Sequence, residues 1–331
     1  RRSPRRVAMS PEALARCGGA LVISLAVAWA VTPLARRLAI RHRILSTPTE
    51  RGVHREPIPY LGGIGILAGL LAGLALLPEL RTGTVGLVIG AICVSVVGAW
   101  DDAREIRWVN KLLAQFGVAA LVWAMGVRIE TFSPPFSNVD IDFGVWSAPL
   151  TILWLVAVMN AINFIDGLDG LAAGVSGIAG ASFLAISIAW MVARGPSSPL
   201  YDDYLVVAVL AAALVGACLG FLRFNFHPAS IFMGDCGALL LGLWLGGVAV
   251  LGAFKSTLLY LCPIVLLGLP LSDTAWAVFR RLRARQSPAT ADRGHIHHRV
   301  LDRTSGQRAA VLVLYSLSLL LAIVATWLGR P

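Results

Sequence analysis

Charged side chains are scarce in this sequence, because Asp, Glu, Lys and Arg make up only 14% of its 331 residues. Soluble globular chains carry about 25% of these residues, so the shortage argues against an ordinary water-soluble domain. Apolar residues make up 57% of the chain, and they recur in runs of about 20 residues, the length that crosses a bilayer as a helix. The composition therefore predicts a polytopic helical membrane protein.

Cysteine is sparse as well, and the five cysteines form no CxxC pair, which argues against a disulfide framework or a zinc site. Lysine is nearly absent. Lys111 and Lys255 are the only two, so the net charge of +10 comes almost entirely from arginine. The arginines lie between the apolar runs, where they report topology and contact with anionic lipid or phosphate. Nucleic acid is therefore not an expected partner, and no cleavable signal peptide is expected.

Ten apolar segments are predicted as membrane spans, so the expected fold is an all-α bundle of about ten transmembrane helices. The predicted spans are 18–34, 62–80, 84–100, 111–127, 148–164, 171–193, 203–222, 237–254, 256–279 and 309–328. Small residues are frequent in them, and such residues let helices pack closely in lipid. No internal repeat or linker interrupts the pattern, so residues 1–331 are expected to form a single domain.

One polar segment, 128–147, is too short and too polar to cross the bilayer. Its stretch "NVDIDFGVW" alternates polar and apolar residues after Pro134–Pro135. That pattern predicts a short β-hairpin, which the topology below puts outside the cell.

Positive charge is unevenly divided between the two sets of connecting segments. The segments after odd-numbered spans hold 18 Lys and Arg residues, whereas those after even-numbered spans and the C-terminal tail together hold five. The positive-inside rule therefore puts the first set in the cytoplasm, although the N-terminal tail, with five arginines, falls outside in this scheme. The cytoplasmic segments are 35–61, 101–111, 165–170, 223–236 and 280–308, and the active site is expected to form from them.

Every polar motif lies on this predicted cytoplasmic face. The motifs read "GAWDDAREIRW", "NAINFIDGLDG", "RFNFHPASIFMGDCG" and "DRGHIHHRV". Carboxylates are costly near lipid and repel one another, unless they stay protonated or a divalent cation neutralises them. Five aspartates are expected to converge there: Asp101, Asp102, Asp166, Asp169 and Asp235.

A cluster of hard oxygen ligands favours Mg²⁺, with Mn²⁺ as a substitute, over Zn²⁺. Mg²⁺ usually binds one or two carboxylates and leaves its other positions to water and substrate phosphates. The cluster therefore predicts a phosphate-bearing substrate, and the nearby arginines and histidines agree with one.

Each motif taken alone also has a structural explanation. Asp101–Asp102 would suit a helix end that meets water, and the aspartates of "DGLDG" would suit a turn that caps the next helix. The "HIHH" run suggests zinc, but Arg293 and Arg299 oppose a cation and favour an anion. His227 precedes a proline and fits a turn, while Phe232 fits a core position. An active site is indicated because all these motifs share one face.

Together the motifs resemble the polyprenyl-phosphate N-acetylhexosamine-1-phosphate transferase family, of the glycosyltransferase 4 type. The resemblance extends from "VHREPIPYLGG" (53–63) through the aspartate motifs to the histidine loop. It implies an enzyme of the bacterial cytoplasmic membrane that transfers a sugar-1-phosphate from a UDP-sugar to a lipid phosphate and releases UMP. Homodimerisation is left open.

The "HIHH" and "VHREPIPYLGG" runs are similar to the WecA/TagO-like branch, which acts on UDP-N-acetylglucosamine and undecaprenyl phosphate. The related MraY branch acts on UDP-MurNAc-pentapeptide, which remains an alternative donor. There are two departures from the branch pattern: Tyr60 stands where arginine is common, and "GDCGA" (234–238) replaces the usual GDTGS.

The resemblance also implies residue roles. Asp101 would deprotonate the lipid phosphate beside Asp102, and Asp235, with Asp102 and Asp166, would hold the metal. Asn163, Asp166 and Asp169 would orient the nucleotide-sugar, and Asn225 and Phe232 would contact the uracil ring. The pyrophosphate would be held by His295, His297, His298, Arg293 and Arg299. His54 is a further candidate for substrate contact.

Two reaction routes and two rival functions stay open. The lipid phosphate attacks the donor directly, or an aspartate attacks first and forms a phosphoryl-enzyme; the direct route is favoured because the lipid phosphate is already an anionic nucleophile. An ion-coupled transporter would instead need acids near the bilayer midplane and paired halves of the chain. A membrane scaffold would leave the aspartates unexplained.

Overall fold

The computed structural model describes residues 9–46, 56–132, 141–252, 264, 267–283 and 296–331. Eleven α-helices are described in these residues, with 3₁₀ turns at Leu74–Leu76 and Gly144–Trp146. The helices are α1 Pro11–Arg41, α2 Gly63–Gly73, α3 Thr82–Arg104, α4 Trp108–Ala124, α5 Ser147–Ile165, α6 Leu171–Arg194, α7 Tyr201–Asn225, α8 Gly234–Gly252, α9 Gly268–Arg283, α10 Ile296–Leu301 and α11 Gln307–Leu328.

Seven helices in the described ranges are long and apolar enough to cross a bilayer, namely α1, α3, α5, α6, α7, α8 and α11. Helices α2 and α4 coincide with two further predicted spans but are shorter. The predicted span 256–279 begins on residues outside the described ranges, and α9 continues past its predicted end to Arg283. The polytopic helical class is therefore confirmed, while the count of ten spans stays a prediction.

Two short strands lie within segment 128–147, which was predicted to form a hairpin. Strand β1, Thr131–Phe132, pairs antiparallel with β2, Ile141–Asp142, with Thr131 opposite Asp142. Residues 133–140, which include Pro134–Pro135, lie outside the described residues. The hairpin and its external location therefore stay predictions.

The helices continue beyond the ends of the predicted spans into the charged segments. Helix α3 runs on to Arg104, where Glu105 takes a left-handed φ of 44° and ends it, so Asp101 and Asp102 lie on its last turn. Helix α8 begins at Gly234, which puts Asp235 in its first turn. Hydropathy marks where apolar residues stop, whereas a helix continues until its backbone is interrupted.

Helices α7 and α8 form the centre of the bundle, and α1 lies along α7. All the buried residues of α1 are small and recur every three or four positions: Ala13, Cys17, Ala20, Ser24, Ala28, Thr32, Ala35 and Ala39. Small side chains on one helix face let the backbones approach closely. The glycines, alanines and serines of the sequence are therefore used for helix packing.

The same kind of contact holds α3 against α8 beside the polar motifs. A Cβ placed on Gly98 would lie 2.5 Å from the backbone carbonyl carbon and oxygen of Asp235. Because neither backbone can yield without moving a helix, Gly98 fixes the separation of the Asp101–Asp102 pair from Asp235.

Gly98→Val is expected to push α3 away from α8 and to destabilise the bundle by about 1–3 kcal/mol, as overpacking does. The measurement is the thermal unfolding midpoint in detergent, followed by size-exclusion chromatography. Gly117→Val is the matched control, because a Cβ at Gly117 meets no atom within 4 Å. Equal midpoints for the two variants would contradict the proposed close approach.

Candidate active site

Asp235 lies at the centre of a polar cluster at one end of the bundle. Its Oδ1 accepts a hydrogen bond from Asn163 Nδ2 at 2.6 Å, and its Oδ2 pairs with the Lys111 ammonium. Asn163 comes from the last turn of α5, and Lys111 comes from the first turns of α4. Three helices that are distant in sequence therefore meet at one carboxylate.

Asp102 joins α3 to the beginning of α8. Its two carboxylate oxygens accept the backbone N–H groups of Asp235, at 2.8 Å, and Cys236, at 3.1 Å. A carboxylate at this position satisfies two amide groups that have no partner within the helix and complements the helix dipole. Gly234 has a φ of +66°, and a Cβ there would lie 2.3 Å from Asp102 Oδ2. The glycine before Asp235 is therefore required for this cap.

Lys111 connects Asp101 to Asp235. Its Nζ lies 3.0 Å from Asp101 Oδ2, while Asp101 Oδ1 accepts the N–H of Ile106 at 2.8 Å. The side chains of Asp101, Lys111 and Asp235 are 13%, 18% and 20% exposed, so solvent reaches the cluster but does not surround it. No role was predicted for Lys111 from the sequence, although the chain contains only two lysines and this one lies in the predicted cytoplasmic segment 101–111.

Asp166 follows α5 directly and is partly buried. Burial, together with the nearby charges of Asp102 and Asp169, raises the pKa of its carboxyl to about 8. No hydrogen bond to its carboxylate is found within the described part of the chain. Asp166 is therefore a carboxyl group that the neighbouring acids disfavour as an anion, unless a cation is brought beside it.

Asp169 and Asn225 connect the "DGLDG" turn to the segment after α7. Asp169 Oδ2 lies 2.8 Å from His227 Nδ1 and accepts the N–H of Ala229 at 3.0 Å. Asn225 accepts the N–H of Gly170 at 3.0 Å and donates to the carbonyl of Ile231 at 3.0 Å. Both side chains are buried, with 3% and 2% of their surface exposed. They hold the two polar motifs against each other.

Tyr315 on α11 supports the same turn, and the sequence analysis did not identify it. Its hydroxyl donates to the carbonyl of Gly170 at 2.5 Å. Gly170 has a φ of +78°, and a Cβ on Gly174 would lie 2.0 Å from the Tyr315 ring. The glycines of this motif therefore serve both the turn and the approach of α11.

Phe232 lies just before α8, and its ring is partly buried. Its backbone N–H donates to Pro59 at 2.8 Å and its carbonyl accepts from Gly62 at 2.9 Å. The ring centroid lies 5.9 Å from that of Tyr60. Burial raises the pKa of Tyr60, and the acids Asp102, Asp166 and Glu105 raise it further. An aromatic pair therefore borders the acidic cluster.

The remaining candidates belong to two loops that are described only in part. His54, Arg293 and His295 lie outside the described residues. His297, His298 and Arg299 follow Ile296 in helix α10, and the Arg299 side chain is exposed. The described contacts do not bring this helix against Asp235, so the roles of these residues stay predictions.

The acidic residues of the cluster are the candidate ligands for a divalent cation. No group of three or more His, Cys, Asp and Glu side chains among the described residues has the arrangement of a metal site. However, Asp101 and Asp235 both direct a carboxylate oxygen at the one cationic group of Lys111. Mg²⁺ needs only one or two carboxylates when phosphates and water complete its shell. The donor set therefore fits Mg²⁺ bound together with a phosphate substrate.

Comparison with known proteins gives a consistent result. The model of glycosyl transferase family 4 matches residues 84–253. The chain is 37% identical to a probable undecaprenyl-phosphate N-acetylglucosaminyl 1-phosphate transferase of Bacillus subtilis, over 96% of this chain and 86% of that protein. It is 33% identical to the decaprenyl-phosphate N-acetylglucosaminephosphotransferase of Mycolicibacterium smegmatis, over 92% and 78%.

A third relative has a different transferred group in its name. The phospho-N-acetylmuramoyl-pentapeptide-transferase of Desulforudis audaxviator is 31% identical over 94% of this chain and 96% of its own length. The matched region contains the cluster residues Asp101, Asp102, Lys111, Asn163 and Asp235. It also contains Asp166. This chain, a multi-pass helical protein with Asp101, Asp102 and Asp235 gathered at one end of the bundle, belongs to glycosyl transferase family 4.

Proposed function

We propose that the protein transfers N-acetylglucosamine-1-phosphate from UDP-N-acetylglucosamine to undecaprenyl phosphate or another polyprenyl phosphate. The products are UMP and polyprenyl-diphosphate-N-acetylglucosamine, which makes this the first membrane step of a cell-envelope glycan. Two relatives with this acceptor and sugar in their names cover 96% and 92% of the chain. The reaction class is that of a phosphotransferase.

The observation that carries the proposal is the junction at the ends of four helices, where Lys111 joins Asp101 to Asp235 and Asn163 donates a hydrogen bond to Asp235. Transfer between two phosphate groups is opposed by their mutual repulsion, so catalysis depends on positioning and on stabilising charge. The cluster provides acids for a cation and an ammonium for a phosphate oxygen within one partly exposed site.

Three aspartates would bind the metal, and Lys111 would contact the substrate. Asp235, Asp102 and Asp166 would hold Mg²⁺, or Mn²⁺ in its place. Each oxygen of Asp102 has a second lone pair besides the one that accepts a backbone N–H, so capping α8 does not prevent it from facing a cation. Bound Mg²⁺ would supply charge stabilisation to the donor pyrophosphate. Lys111 would stay between Asp101 and Asp235 and contact a phosphate oxygen.

The bond changes follow from the substrates. An oxygen of the lipid phosphate attacks the β-phosphorus of the donor, which carries the sugar. The bond from that phosphorus to the bridging oxygen breaks, and the oxygen leaves with UMP. Asp101 takes the proton when the lipid phosphate arrives as a monoanion. We favour this direct route over a phosphoryl-aspartate, and a trapped covalent sugar-phosphate adduct in the absence of lipid would overturn it.

The donor would lie between the polar motifs. Asn163, Asp166 and Asp169 would orient the nucleotide-sugar, Asn225 and Phe232 would contact the uracil ring, and the histidine loop would hold the pyrophosphate. His54, Arg293 and His295 remain candidates on the basis of the resemblance. A lipid phosphate and a soluble nucleotide can meet only at the membrane edge, and the arginine distribution favours the cytoplasmic side of the inner membrane for that edge.

The test is release of UMP from UDP-N-acetylglucosamine by the purified full chain, with transfer of labelled sugar to the lipid fraction. We expect release to require both polyprenyl phosphate and Mg²⁺. A panel with UDP-MurNAc-pentapeptide as the second donor addresses the alternative that the Desulforudis relative represents. Labelling from neither donor would reject the proposal, and transport without turnover would favour the carrier hypothesis.

A further inference from the structure

Asp273 on α9 is a buried carboxyl group outside the acidic cluster. Only 5% of its surface is exposed, and its Oδ1 accepts the backbone N–H of Ile296 at 2.8 Å. Ile296 is the first residue of α10, the helix that contains His297, His298 and Arg299. A carboxylate 23 residues away in the sequence therefore binds the beginning of the histidine helix.

The chemistry of this contact suits an anchor. The first N–H groups of a helix have no partner within the helix, and the N-terminal end of a helix is partly positive. A carboxylate at this end accepts a hydrogen bond from such an N–H and is attracted by the positive charge. A carboxylate that lacked such partners would be costly to bury.

The contact between Asp273 and Ile296 joins helix α9 to helix α10. Helix α9 packs against α5, whose last turn carries Asn163, and α10 packs against α11. Ile296 and Val300 pack partly buried against the hydrophobic core. The hydrogen bond to Asp273 therefore connects α10 to α9, which in turn packs against the helix that contributes Asn163 to the Asp235 cluster.

We infer that Asp273 is a positioning residue for the nucleotide-sugar: its hydrogen bond to Ile296 holds the beginning of α10, the helix that contains His297 and His298. The inference rests on the proposed function, because it assigns the histidine segment to the donor. Asp273 itself touches no substrate. Its loss should therefore weaken donor binding and leave the lipid phosphate unaffected.

The experiment removes each side of the hydrogen bond separately. Asp273→Ala removes the acceptor. Ile296→Pro removes the donor at a first helical position, where proline is tolerated, and Ile296→Val is its control. Each of the first two variants is expected to raise KM and Kd for UDP-N-acetylglucosamine about tenfold, with KM for polyprenyl phosphate unchanged, as loss of one hydrogen bond to a charged group predicts.

Three further variants sharpen the result. The double variant should bind donor no more weakly than the worse single variant, because both changes remove the same contact. Asp273→Asn keeps an acceptor and should stay within about threefold of the wild type. Asp302→Ala removes an exposed carboxylate just after α10 and should have no effect.

The inference is overturned by wild-type donor affinity in Asp273→Ala or Ile296→Pro, by additive effects in the double variant, or by equal increases in KM for both substrates. If Asp273→Ala does not fold, Ile296→Pro and its valine control decide. Donor binding is measured by calorimetry as well as by turnover. A wild-type protein that binds UDP-N-acetylglucosamine but transfers nothing would therefore reject the proposed function and still test Asp273.

Discussion

Asp235→Asn is expected to lower kcat by about a thousandfold or more, because several kcal/mol of charge stabilisation is lost and about 1.4 kcal/mol corresponds to a factor of ten. The amide keeps the size of the side chain but removes the charge that pairs with Lys111. The fold should survive, since Lys111 keeps its pair with Asp101 and the repulsion among the acids decreases. The measurement is UMP release at saturating substrates.

Asp203→Asn is the matched control for this variant. Asp203 also lies in the first turn of a helix, α7, and pairs with Arg81, so it loses a comparable ion pair away from the cluster. Its kcat should equal that of the wild type. Near-normal turnover in Asp235→Asn, with an unchanged elution profile in detergent, would remove Asp235 from the active site.

Lys111→Met is expected to lower kcat/KM by about a hundredfold, the size of effect seen when one preorganised charge is removed from an active site. The substitution leaves the carboxylates of Asp101 and Asp235 facing each other without the ammonium between them. Because both are partly exposed, water screens much of this repulsion, and the thermal midpoint should fall less than activity does.

Two comparison variants test whether the positive charge is needed at position 111 itself. Lys111→Arg keeps the positive charge with a different shape and should recover about a tenth of the wild-type kcat/KM. Arg107→Met removes an exposed cation four residues earlier and should change little. If Lys111→Met and Arg107→Met behave alike, the ammonium acts through the general charge of this face rather than at Asp101 and Asp235.

The family and the membrane class were predictable because their signals are local. A run of apolar residues predicts a span wherever it occurs, and each polar motif lies where such a run ends. The aspartates at 101, 102 and 235 were therefore expected near one another before any coordinates, and the structure brings them together. The helix ends were less predictable, because α3 and α8 continue into charged residues.

The partners of individual side chains were not predictable. Lys111 and Asp235 are 124 residues apart, and no local pattern relates an ammonium in α4 to a carboxylate in α8. Asp169 and Asn225 were expected to contact substrate, which stays a prediction; the structure shows them bound to protein groups across the "DGLDG" turn. Those contacts arise only when α6 and α7 pack against each other, so spacing in the sequence does not reveal them.

The sequence by itself determined that this chain crosses the membrane repeatedly, that its acids lie at helix ends, and that its motifs are those of one transferase family. These properties depend on composition and on residues close together in the chain. The tertiary structure alone decided that Asp102 caps α8, that Lys111 joins Asp101 to Asp235, and that Asp273 holds the first residue of α10. The reason is physical: hydrogen bonds and ion pairs act over about 3 Å, and only helix packing brings residues so far apart in the chain within that distance.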